Sequence, residues 1–262
     1  MDGRRSPRKP SRQGNSRQGN SRHNNPREDK RSQDAPPRDR GPEIPDEVSA
    51  RDLDRDVRRS LQSLPERTAD AVARHLVMAG VLLGDDPALA YRHARAARDR
   101  ASRVGVVREA VGETAYAAGE YTEALRELRA ARRMNGRSEY VPMMADCERA
   151  LGRPERALDL DTPQIREKLD EAGVAELAIV VSGARRDLGQ PEAAAHALER
   201  ESLHSKSRDP WLARLRYAYA DVLADLGRLD EAEEWFHRTV AVDGNRATDA
   251  EERLEVLHND SR

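Results

Sequence analysis

The chain is poor in the residues that build disulfides, sheets and membrane spans. A single cysteine, Cys147, among 262 residues excludes an internal disulfide and any zinc site made from several thiolates. Aromatic residues make up 3% of the chain, so few aromatic or β-branched runs are available for strands. No apolar run approaches the roughly 18 residues that a bilayer span requires. Arg4-Arg5 is followed by no apolar segment, which argues against an export signal. A cytoplasmic protein with no membrane partner is therefore expected. Catalytic signatures are also missing. The seven histidines include no His-Glu-x-x-His pair, and there is no Gly-x-Ser-x-Gly elbow. No catalytic residue, cofactor or metal is expected. Cys147 reads as a packed thiol inside a helix, since no basic neighbour in sequence would lower its pKa.

The first 41 residues contain only Met1 and Ala35 as apolar side chains. Such a segment cannot bury enough surface to offset its chain entropy, so residues 1–45 are expected to form a disordered Arg-rich tail. Residues 1–41 carry 12 Lys+Arg against 5 Asp+Glu, leaving 34 against 43 in the body, so the near-neutral total hides a basic tail on an acidic body. Within the tail, Ser-Arg-Gln-Gly-Asn occurs twice in tandem and is followed by Ser-Arg-His-Asn-Asn, which places Arg12, Arg17 and Arg22 five residues apart. That spacing suits a diffuse contact with RNA or another polyanion, although no aromatic residue is interleaved to stack on bases. A solvated extension without a specific role fits the same composition. Gly14-x-x-x-x-Gly19-Asn20-Ser21 is not a phosphate loop, because Asn20 stands where lysine is needed.

The body is rich in Ala, Leu, Arg and Glu, which favours helices. Ser49 to Asp52 reads as a capping box opening a helix with Leu53, Val57 and Leu61 on one face, and residues 46–64 are taken as a capping helix. Ser63-Leu-Pro-Glu66 reads as a second box, and Asp86 as a cap before Pro87. Helices are then predicted over 87–102, 104–117, 120–134, 139–151, 154–160, 163–188 with a break near Gly173, 191–203, 209–226, 229–242 and 247–258. Gly136, Gly152, Gly189, Gly227 and Gly244 stand where helix ends favour positive φ. His75 and His93 fall on adjacent predicted helices and can meet, most simply as packing residues.

Five stretches share a turn residue followed five places later by alanine: Asp85 to Ala90, Gly119 to Ala124, Gly152 to Ala157, Gly189 to Ala194 and Gly227 to Ala232. The alanines are 34, 33, 37 and 38 residues apart. A period near 34 with a small residue at a fixed place marks stacked helical hairpins, since two axes approach closely only where the side chain is small. The longer spacings imply insertions before the fourth and fifth copies.

This pattern resembles the tetratricopeptide repeat over roughly residues 66–244, within a helical repeat domain taken as 66–258, and most closely across Gly105 to Ser138. There Val111-Gly112, Tyr116, Gly119, Tyr121, Ala124, Leu128 and Ala131 match, and Gly136 replaces the final proline. Tyr219-Ala220, Gly227, Leu229, Ala232 and Phe236 form the next best copy, whereas Pro154 and Pro191 replace an aromatic in weaker ones. The arginine excess and basic tail also resemble repeat proteins of high-GC bacteria. The resemblance implies an all-α, right-handed α-α superhelix, a solenoid of about five hairpins.

In that family the first helix of each repeat lines a concave groove. Transferring the register assigns to it Glu109, Glu113 and Tyr116, then Asp146 and Arg149, Ile179 and Arg186, and Tyr217 and Asp221. Members that clamp a terminal carboxylate use Lys and Asn where Glu109 and Glu113 stand, so that clamp is absent here. A locally acidic groove suits a basic or mixed peptide, and a protein or peptide partner in a scaffolding role is the resulting expectation. These residues read equally as solvated helix positions. Two other expectations stay open: a nucleic-acid-associated protein that uses its tail, and a tail that visits its own acidic groove. Oligomeric state is not legible.

Overall fold

A computed structural model describes residues 41–260, so the expectations for residues 1–40 of the tail, including Arg12, Arg17 and Arg22, lie outside the described residues. Among the described residues there are thirteen α-helices, one short 3-10 turn and no strand. The 3-10 turn Ala50–Asp52 carries the full capping box from Ser49, yet the helix does not continue through it. Leu53 is extended, and Asp54 caps a separate helix α1, Arg55–Ser60, by accepting from Asp56 N at 2.7 Å and Val57 N at 3.3 Å. The expected helix over 46–64 is thus broken by a second cap that competes with its interior. Its apolar face survives: Leu61 is buried, with Leu53 and Val57 packed beside it. The second expected box is absent. Pro65 stands at the N-cap of α2, with no side-chain cap.

Hairpins follow in sequence. Helix α2, Glu66–Leu82, packs on α3, Pro87–Ala101. Helix α4, Gly105–Ala117, packs on α5, Tyr121–Asn135. Helix α6, Val141–Ala150, packs on the five-residue α7, Pro154–Leu158, and α8 spans Pro163–Arg166. Helix α9, Glu171–Asp187, packs on α10, Pro191–Glu199. Helix α11, Pro210–Asp225, packs on α12, Leu229–Val240, and α13, Ala250–Asp260, closes against α12. Each hairpin also packs on the next, through α3 and α4, α5 and α6, α7 and α9, and α10 and α11.

The register alanines Ala90, Ala124, Ala157, Ala194 and Ala232 are all 0% exposed, as a small residue at a helix crossing requires. At the α4–α5 crossing Gly112 goes further, because a Cβ there would stand 2.4 Å from Leu128 Cδ2. Four of the five expected turn glycines adopt positive φ; Gly244 does not, and Arg246 takes that conformation instead at φ 48°.

The long spacings have separate causes. Pro163 disfavours helical backbone at Thr162, and Thr162 caps α8, so residues 159–170 become an insertion of two turns around the short α8 rather than part of one long helix. The expected break near Gly173 falls just before it, where the Asp170 carboxylate caps α9 by accepting from Gly173 N at 2.8 Å. Arg166 pins the insertion, with Nε 2.5 Å from Asp161 and Nη1 2.7 Å from Glu201 beyond α10. The second insertion lies between α10 and α11. It is held by Arg216, which donates to the carbonyls of Leu203 at 2.8 Å and Ser205 at 3.0 Å.

Several buried clusters line the stack rather than one central core. The C-terminal one gathers Trp211, Tyr219, Trp235 and Phe236 with Leu254 of α13. Between α2 and α3, His75 and His93 do meet: both are buried, with their Nδ1 atoms 3.1 Å apart.

Candidate functional site

The groove residues proposed from sequence lie on α4, α6, α9 and α11, and most are tied to the next helix in line. Tyr116 on α4 donates its hydroxyl to Asp146 Oδ2 on α6 at 2.6 Å. Arg149, one turn along α6, donates to Asp146 Oδ1 at 3.0 Å and reaches α9, where its Nε lies 2.7 Å from Asp187 Oδ2. Its guanidinium lies across Gly183, where any Cβ would stand 2.6 Å from Nη1. Arg186 on α9 then reaches α11, 2.8 Å from Asp221 and 2.5 Å from Asp225. Asp221 is also held by Arg253 of α13 at 2.8 Å. Tyr217 engages Asp249 before α13, and burial together with that carboxylate pushes its phenol up from the ordinary value. Glu176 and Arg214 add a second pair between α9 and α11.

These contacts form a ladder: ion pairs link α6 to α9 and α9 to α11, and the Tyr116–Asp146 hydrogen bond links α4 to α6. Asp146 and Asp221, read from the sequence as acidic groove positions, are each neutralised by arginine. Of the acids that the register assigns to this face, Glu113 alone has no arginine partner among the described residues.

Glu109 and Glu113 share one pocket and stand one turn apart on α4. The pocket encloses about 250 Å³ and is walled by Leu53, Val57, Leu76, Ala79, Leu83 and Val106, with Arg137 and Tyr140 at its rim. Glu109 is 4% exposed. It accepts from Asn135 Nδ2 at 2.6 Å and lies 3.7 Å from Arg137 Nη1. Glu113 differs. Its hydrogen-bond partner is the Tyr140 hydroxyl, and no cation among the described residues pairs with it. Burial, and then the like charge of Glu109, raise its pKa above the ordinary carboxylate value, while Tyr140 opposes the shift. The Tyr140 phenol is itself pushed up by burial and by both carboxylates.

A half-buried carboxylate in an apolar pocket either takes up a proton or binds a cation. The six walls named are aliphatic, so the aliphatic stem of a lysine or arginine side chain fits as well as its charged head. Glu109 and Glu113 were legible from the repeat register. Asn135, Arg137 and Tyr140 were not, because they lie at the end of α5 and in the turn after it, outside the positions that the register assigns to a groove. Reading the turn beside two acids for polar residues is the signal that finds them.

The fold and this pocket define a stacked helical-hairpin protein with an ion-paired face. No protein-family model matches the chain, and no curated protein matches it. Among the described residues, no helix is long and apolar enough to cross a membrane.

Proposed function

We propose that the chain is a non-catalytic protein-binding module: a right-handed superhelix of about five degenerate tetratricopeptide-like hairpins that takes a basic peptide segment of a partner protein. One lysine or arginine of that segment enters the pocket at Glu113. The observation that carries this reading is the uncompensated Glu113 carboxylate beside Glu109 in an apolar pocket. The buried alanine register supports the repeat assignment. The arginine ladder supports a scaffold whose first-helix face is held in one arrangement, a form of preorganisation that lowers the cost of binding.

The test is fluorescence anisotropy of a labelled Lys/Arg-rich peptide with the full chain at low salt. Glu113→Gln removes the charge and keeps the shape, and loss of a close charge partner should weaken binding by about 10-fold or more. Equal affinity for the parent and Glu113→Gln chains rejects the pocket. A chain lacking residues 1–41 reports on the tail. Tighter peptide binding on deletion means that the tail competes for the acidic face. Salt-dependent retention on RNA that disappears on deletion favours instead the nucleic-acid reading, which rests on Arg12, Arg17 and Arg22.

A further inference from the structure

The C-terminal hairpin carries a second cluster, unrelated to the pocket. Glu233 and His237 are four residues apart on α12 and so share a face, and His258 of α13 is brought against them. His258 Nε2 lies 2.8 Å from Glu233 Oε1, and His237 Nε2 lies 3.8 Å from the same oxygen. One ligand atom from each of the three residues falls within 4.8 Å of the other two.

The partners of Glu233 are informative. Among the described residues many acids of this arginine-rich body are held by a guanidinium, as Glu127, Glu148 and Asp221 are. Glu233, among the described residues, pairs only with the two histidines. Among the described residues this carboxylate therefore faces two imidazole nitrogens and no guanidinium. Neutral imidazoles and a carboxylate are the donors that borderline divalent metals take.

The geometry points to a divalent transition-metal site, best suited to Zn²⁺, formed by Glu233, His237 and His258 and clamping α13 onto α12. A four-coordinate zinc with ligand bonds of about 2.0–2.2 Å sets its donors roughly 3.3–3.5 Å apart. The separations of 2.8 and 3.8 Å bracket that spacing. His237 and His258 are more than half exposed, at 60% and 56%, so small rotamer changes close the triad at low cost. Three protein ligands leave a fourth position for water or an outside donor.

The experiment is calorimetric titration of the full chain with Zn²⁺ in chelator-free buffer, with thermal unfolding followed in parallel. A single equivalent should bind, and Zn²⁺ should raise the melting temperature. His237→Asn and His258→Asn should each weaken Zn²⁺ binding by more than the ~10–100-fold that loss of an outer-shell partner costs, and each should abolish the thermal shift. His196→Asn, an exposed histidine on α10, should leave both unchanged. The two test residues sit on different exposed helix faces, so a folding defect in one variant leaves the other to decide. Zn²⁺ affinity that is the same in the parent, His237→Asn and His258→Asn chains overturns the site, as does dependence on His75 or His93 instead.

Discussion

Replacing Gly112 with alanine tests how closely α4 and α5 approach. In an open helix interior that exchange is favourable by about 0.8–1.0 kcal/mol, since alanine loses less backbone entropy on folding. At this crossing the new Cβ would stand 2.4 Å from Cδ2 and 2.5 Å from Cγ of Leu128. Leu128 is 1% exposed and has no route into solvent. Overpacking of this kind costs about 1–3 kcal/mol, which outweighs the propensity gain and leaves a net loss of about 0–2 kcal/mol. At roughly 2–4 °C per kcal/mol for a domain of this size, the melting temperature should fall by up to about 8 °C. Gly80, inside α2, has nothing within 4 Å of its Cβ position. There the propensity gain stands alone, and Gly80→Ala should raise the melting temperature by about 2–4 °C. Removing the obstacle should reverse the sign at residue 112. A Leu128→Ala chain is expected to be about 2–5 kcal/mol less stable, and within it Gly112→Ala should stabilise. Urea unfolding of the four chains of this cycle, followed by circular dichroism at constant slope, measures the coupling. Stabilisation by Gly112→Ala in both backgrounds would refute the close crossing.

Other outcomes follow from the buried ionisable groups. Burial, and then the neighbouring Asp146 and Glu148, push the Cys147 thiol up to about 12. It should therefore react with an aromatic disulfide reagent only at the rate at which its helix opens; fast labelling of native protein would contradict its burial. Burial and Arg92 lower the His93 pKa below 6.5. Below that pH the unfolded chain takes up a proton that the folded imidazole refuses, so stability should fall as pH drops from about 6.5, and His93→Leu should shallow that fall. The Glu113 pKa is raised, so its ionised form opposes folding once pH exceeds the ordinary carboxylate value. Glu113→Gln should raise the melting temperature at pH 7 and leave it unchanged near pH 4, where the parent side chain is already neutral.

Much of the architecture was legible because it rests on short-range rules. The spacing of Ala90, Ala124, Ala157, Ala194 and Ala232 gave the hairpins, and Pro163 and Asp170 stand where the irregularity falls. The N-terminal helix was misread because two valid caps, Ser49 and Asp54, compete within six residues and only packing decides between them. Glu109, Glu113, Tyr116, Asp146, Arg149, Arg186, Tyr217 and Asp221, which the register assigns to first helices, stand on α4, α6, α9 and α11. The register was silent on their charge state, because Arg149, Arg186 and Arg253 reach across to acids about 30 to 40 residues away in sequence. The Glu233–His237–His258 cluster is illegible for a related reason: two histidines on one helix leave a spacing in the sequence, whereas this triad borrows its third member from another helix.

The gathering of aromatic residues at one end has an optical consequence. Both tryptophans, Trp211 and Trp235, belong to the C-terminal cluster, Trp235 edge-on to Tyr219 with ring centroids 5.2 Å apart. Tryptophan fluorescence, excited at the red edge where tyrosine does not absorb, therefore sees the last two helical layers and is blind to the hairpins around Glu113, whereas circular dichroism averages over every helix. Melting curves from the two probes that coincide would mean that the arginine rungs pass unfolding along the whole stack. Curves that separate as salt is added would time the loss of that relay, using a reporter the chain already carries.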